Sequence, residues 1–150
     1  MNYWLMKSEP DVFSIDVLKH KKKSGWDGVR NYQARNYMRD DMKKGDLILF
    51  YHSSCEIPGV AGLAKVSRES HPDPTQFDAK SDYYDPKATK DNPRWFMVEV
   101  EFVEKFDDVI TLQTIKSTKA LSNMPLVQKG SRLSINPVTE NEFSTILKLK

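Results

Sequence analysis

The sequence is poor in the residues that build staples and metal centres. It holds one cysteine, Cys55, in 150 residues, so no disulfide can close within the chain, and a reducing compartment is expected. Its three histidines, His20, His52 and His71, fall at no zinc-ligand spacing, so neither a structural metal nor a cofactor is expected. GxGxxG and GxxxxGK(S/T) are both missing, which removes the phosphate-cradling nucleotide folds. No apolar run approaches the roughly 20 residues that span a bilayer, which excludes a membrane partner through a spanning helix. The opening MNYWLMKSEPD lacks the basic, apolar and cleavage regions of a signal peptide. An intracellular protein is expected, cytoplasmic if the source is bacterial and nuclear if it is eukaryotic. Charge of one sign is also lacking: 23 basic against 21 acidic residues leave a net +2, so attraction to nucleic acid has to come from local clustering. The one dense basic run is KHKKK at positions 19–23.

What is present reads as a single domain over 1–150, long enough to bury a core without staples. Tyr3 to Lys7 is a short aromatic and aliphatic run ended by Pro10, and it predicts a first strand. Ser14 is placed to cap a helix with Phe13, Ile15 and Leu18 on its apolar stripe, ending near Ser24 and Gly25. Gln33 to Met42 is compatible with a second helix, and LILFYH reads as a central strand. In GVAGLAKVSRES the small residues suit a tightly curved sheet. Positions 70–93 are polar and aperiodic, as expected of an ordered excursion over a binding face. RWFMVEVEFVEKF alternates cleanly, with Phe96, Val98, Val100 and Phe102 on one face. A short strand near Val109 to Leu112, short helices, a last strand in RLSINPVT and a final helix capped by Thr139 and Glu142 complete the chain. Strands dispersed among helices without βαβ alternation predict an α+β fold with a small mixed or antiparallel barrel.

The segment WDGVRNYQARN, 26–36, crowds planar and amide side chains between turn residues. Trp26, Tyr32, Tyr51 and Trp95 all lie beside turn or polar residues, and Ser8, Asn31, Gln33, Arg35, His52 and Ser53 add short or planar hydrogen-bonding groups. Aromatic faces beside donors and acceptors are what an unstacked nucleobase requires. Catalytic alternatives are weaker. Cys55 and His52 sit in HSSCEIPG with no motif that supports a nucleophile pair, and Glu99 and Glu101 occupy the solvent face of a strand.

Several stretches, YWLMKSEPDVFSID, WDGVRNYQARN, KKGDLILFYHSSCEIPGVAGLAKV, HPDPTQFDAKSDYYDPKATKDNPRWFMVEVEFV and MPLVQKGSRLSINPVT, together resemble the EVE domain of the thymocyte nuclear protein family. The resemblance runs from Asn2 to the final helix. It implies a PUA-like pseudobarrel flanked by short helices, and recognition of DNA or RNA carrying modified bases, with 5-methylcytosine and 5-hydroxymethylcytosine favoured. The related YTH domain holds N6-methyladenine in an aromatic cage. The sequence departs from relatives at RNYMRDDM, where a simpler helix start is common, and at Asn136, where glutamine is common.

Carried onto this chain, the resemblance implies a pocket at Lys7 and Ser8, at the start of WDGVRNYQAR, at the end of FYHS, and near Trp95 and Arg132. The expected base-binding set is then Ser8, Trp26, Asn31, Arg35, Tyr51, His52, Ser53, Trp95 and Arg132. Trp26 is expected as the exposed stacking wall. Ser8 or Asn31 would accept from a cytosine amine, Arg35 or a backbone amide would donate to ring acceptors, and Ser53 or His52 would meet a hydroxymethyl group. Lys7, Lys19, Lys21, Lys22, Lys23, Arg30 and Arg39 would anchor phosphates without reading sequence. A monomeric, non-catalytic reader is expected. The alternatives are a small ASCH-like hydrolase or nuclease using His52 as base, and a protein-interaction module using the 70–93 excursion.

Overall fold

The computed structural model describes residues 1–150. Six strands, β1 (Tyr3–Ser8), β2 (Lys23–Gly25), β3 (Leu47–His52), β4 (Gly59–Pro72), β5 (Phe96–Thr111) and β6 (Ile135–Val138), form one mixed sheet in the order β2-β5-β4-β3-β1-β6. Only β1 and β3 run parallel. Four α-helices pack around the sheet: α1 (Ile15–Lys21), α2 (Tyr32–Asn36), α3 (Leu112–Ser117) and α4 (Glu140–Lys148). None of the helices is long and apolar enough to cross a membrane. The chain is α+β with a PUA-like pseudobarrel: β2 and β6 end the sheet without pairing to each other, so hydrogen bonds do not close the ring.

Curvature comes from β4 and β5, whose pairing shifts register at four points. Gly62 lets the two backbones meet there, since a Cβ in its place would lie 2.3 Å from the Glu104 carbonyl oxygen. The short strand expected near Val109 is the continuation of the 16-residue β5 past these bulges.

Strand alternation divides the core. Trp4, Met6, Ile48 and Phe50 pack with α1, α2 and Trp26 on one face, whereas Leu5, Leu49 and Tyr51 pack with α3 and α4 on the other. Local signals set the helix starts: Ser14 Oγ accepts from the Val17 N–H, Asn31 Oδ1 from the Ala34 N–H, and Thr139 with Glu142 forms a reciprocal capping box. Helix α1 stops at Lys21, earlier than expected, because Lys22 takes φ +72 and sends Lys23–Gly25 onto the edge of β5. The RNYMRDDM departure becomes a π-helical turn, Tyr37–Asp41, continuing α2. Asn136 is buried and donates to the Leu133 carbonyl, so that departure lies in the core.

Candidate functional site

A cavity of about 520 Å³ opens where the end of β1 meets the segment between β2 and α2. Lys7, Ser8, Trp26 and Asn31 line it, with Lys21 and Arg30. Trp26 is held from two directions. Its backbone N–H donates to the Val98 carbonyl at 2.8 Å, and its ring meets Phe50 and Phe13 edge-on, with centroids 5.7 and 6.1 Å away. It is only 9% exposed, so it is a core residue with one margin on the cavity, not the open platform expected of a turn. The flanking glycine shapes the rim instead. Gly28 has φ +78, and a Cβ there would lie 2.8 Å from the ring of Tyr83, which the 70–93 excursion brings to the same cavity.

Asp27, Phe13 and Tyr83 line the cavity and were not among the expected site residues. Asp27 sat inside the WDGVRNYQARN segment, and Tyr83 inside YYDPK, so both were visible as residues without being legible as neighbours. Burial raises the Asp27 carboxyl above its ordinary range, and the negative charge of Asp73 adds to the effect. Burial lowers the Lys7 ammonium. Asn31 presents chiefly its amide N–H groups, since Oδ1 already caps α2. The Ser8 hydroxyl donates to the Phe13 carbonyl, and its oxygen remains free to accept.

Arg30 belongs to the scaffold of this site. Its five N–H groups are all committed: Nε and Nη2 to the Tyr83 carbonyl, Nη2 also to Thr75 Oγ1, and Nη1 to Asp73 and to the carbonyl of the preceding residue, Val29. Asp73 is fully buried; burial alone would raise its carboxyl, but hydrogen bonds from Thr75, Gly28 and Arg30 hold it low. A guanidinium with no N–H left is a clamp and not a phosphate anchor.

The other expected residues lie elsewhere. Trp95 is buried, stacked on Tyr32 at 4.9 Å, with its indole N–H donating to Asp85. Arg35 lies over Tyr32, donates to the Arg94 carbonyl and Asn36, and does not line the cavity. Tyr51 and Ser53 line a second cavity on the opposite face, as alternation along β3 requires. His52 shares the face of Phe50, but its Nε2 accepts the Ile15 N–H at 3.1 Å and so caps α1. That bond requires an unprotonated Nε2, and burial holds its pKa below 6.5 against the pull of Asp16. Arg132 is exposed and lines neither cavity. Lys22 turns the chain, Lys23 pairs with Glu101 at 3.7 Å, and Arg39 forms a two-point contact with Asp40, so only Lys7 and Lys21 of the expected phosphate anchors reach the cavity with a free charge. The chain has no group of three or more His, Cys, Asp or Glu side chains arranged to hold a metal ion.

With this geometry in place, comparison with known proteins is specific. The sequence matches the EVE domain over residues 2–149. It is 46% identical to thymocyte nuclear protein 1 of Homo sapiens, with 99% of this chain and 74% of the human protein aligned. The fold superposes on a crystal structure from Pseudomonas syringae with a TM-score of 0.94 and 51% identity, covering 98% of each chain. It superposes equally well on human THYN1 protein in complex with 5-methylcytosine containing DNA, with a TM-score of 0.93 and 45% identity over 99% of this chain and 97% of that one. An ASCH protein from Zymomonas mobilis shares the fold alone, at 9% identity and a TM-score of 0.57. Over nearly its whole length, this chain belongs to the EVE domain family.

Proposed function

We propose that this chain is a non-catalytic nucleic-acid-binding domain that takes one flipped, modified base, 5-methylcytosine or 5-hydroxymethylcytosine, into the cavity beside Trp26. The observation that carries the proposal is a cavity of about 520 Å³ with aromatic, carboxyl, hydroxyl and amide groups on one wall system. The 45%-identical human THYN1 protein, seen with 5-methylcytosine containing DNA, supports it.

Extrusion of a base costs a few kcal/mol, and stacking returns roughly 1 to 3 kcal/mol, so edge contacts supply the remainder. Trp26 gives a fixed wall and Tyr83 a rim held by Gly28 and Arg30. In cytosine the exocyclic amine donates while N3 and O2 accept. Asp27 lines the cavity and accepts from the amine. Ser8 is a second acceptor and the Asn31 amide a donor. Phe13, Val12 and Val29 line the same cavity and provide an apolar niche for a 5-methyl group, and Ser24 or Ser134 meets a 5-hydroxymethyl group in place of Ser53 or His52. Lys7 and Lys21 hold flanking phosphates of DNA or RNA. All these groups come from one copy, so the proposed unit is a monomer.

A reader leaves its ligand intact. The side chain best suited to be a hydrolytic base, His52, spends its Nε2 lone pair on α1, which supports binding over hydrolysis. The test is incubation with DNA and RNA strands carrying each base, with and without divalent metal, followed by mass spectrometry of the recovered strands. Retained, unaltered strands are expected. Base release or strand cleavage lost in His52→Ala would establish the hydrolase instead.

A further inference from the structure

A second cavity, larger at about 950 Å³, lies between the end of β3 and the loop at 122–131. Its charge is one-sided. Lys7, Lys116 and Lys129 line it, and no Asp or Glu does. None of the three is ion-paired, whereas Lys23, Lys65, Lys105 and Lys150 all are. The remaining polar wall is mainly hydroxyl, and Tyr51 contributes one of those groups. The Tyr51 ring is buried among the core residues of β3 and α3, the residue being 3% exposed, and its hydroxyl is the part that opens onto the cavity, where it is free of any protein hydrogen-bond partner. Burial pushes its pKa up to about 12, so it keeps an O–H to donate at neutral and at moderately alkaline pH. Lys7 lines both cavities, which makes them neighbours across one side chain.

An unpartnered donor and three free ammonium groups with no carboxylate describe a site for an anion. We propose that the second cavity binds a backbone phosphate of the same strand, on the nucleotide adjoining the one whose base enters the first cavity, with Lys116, Lys129 and Tyr51 as its ligands and Lys7 shared. The inference rests on the base-reading proposal for the position of the strand, and it adds a second contact region on the other face of the sheet. No bond is made or broken.

The experiment uses the whole chain and a short single strand with one central 5-methylcytosine. Affinity is titrated at several salt concentrations for wild type, for Lys116→Gln/Lys129→Gln and for Tyr51→Phe. Each lost phosphate contact lowers the slope of log K against log salt by about 0.7. The double lysine variant is expected to lose about that much slope and to keep the wild-type preference for 5-methylcytosine over cytosine. Tyr51→Phe, which keeps the ring, is expected to bind about tenfold more weakly. A strand with one neutral methylphosphonate linkage beside the modified base locates the contact: wild type loses the same slope on it, and the lysine variant loses nothing more. Inorganic phosphate, titrated separately, is expected to compete only weakly, since the strand positions the anion; if it displaces the strand fully at low millimolar concentration, the cavity serves free phosphate and the proposal falls. Unchanged slope in the lysine variant, with preference retained, overturns this proposal and leaves base reading standing. Loss of slope in the variant of a wild type that shows no preference between bases overturns base reading and keeps the phosphate site.

Discussion

Arg30 and Tyr83, 53 positions apart, are clasped together: two guanidinium N–H groups converge on the Tyr83 carbonyl at 2.8 and 3.2 Å, and the cation lies 5.4 Å from the centre of that residue's ring. The clasp ties the 70–93 excursion to the segment that bears Trp26. Replacing Arg30 with Ala leaves the fully buried Asp73 carboxylate without its cation. Breaking a buried pair in this way is expected to cost about 3 kcal/mol. Urea unfolding measures it, and a loss below about 1 kcal/mol would mean that Arg30 is free to serve phosphates after all.

Trp26 and Tyr83, two of the three aromatic residues of the first cavity, are expected to separate stability from binding. Trp26 packs edge-on against Phe13 and Phe50, so Trp26→Ala should cost roughly 3 to 5 kcal/mol of folding stability. Tyr83 is 43% exposed, and Tyr83→Ala should leave thermal stability within a few degrees of wild type while binding to a modified strand falls by roughly 1 to 3 kcal/mol. Paired thermal melts and titrations decide. A Tyr83→Ala protein that binds like wild type removes the rim from the site.

His52 gives the fold an acid sensitivity of calculable sign. Its folded pKa lies below the ordinary 6.5, so between the two values the unfolded chain binds more protons than the folded one. The stabilisation from neutral His52 is therefore complete above about pH 6.5 and declines as pH falls through and below that value. His52→Gln, whose side-chain carbonyl can still accept from Ile15, should flatten that decline. Urea midpoints from pH 7.5 downward test it, and identical pH profiles for the two proteins would show that the imidazole does not cap α1.

Much of the fold was legible locally, and the site only in part. The Ser14 cap, the Thr139 and Glu142 box and the alternation from Phe96 to Phe102 are short-range signals, and each appears where it was expected. Ser8, Asn31 and Trp26 do line one cavity. The grouping of Tyr51, His52 and Ser53 in one pocket ran against the two-residue period of a strand, which sends Tyr51 to the opposite face from Phe50 and His52. That much could have been read from LILFYH alone. The engagement of His52 by Ile15, 37 positions away, could not. Trp95 reads as a pocket wall because it lies beside turn and polar residues, but Tyr32 stacks on its ring and Asp85 takes its indole N–H. Asp27 stands among the flat and amide groups of WDGVRNYQARN with nothing local to mark it, and its significance rests on burial that no local pattern announces.

The central claim is that the cavity beside Trp26 reads a modified cytosine, and a single pair of calorimetric titrations tests it most directly: the unaltered protein with two strands of one sequence, differing only in 5-methylcytosine against cytosine. Burying one methyl group against Phe13, Val12 and Val29 contributes about 0.8 kcal/mol, so the methylated strand should bind at least about fourfold more tightly at the same salt concentration. Equal affinity for the two strands would contradict the account.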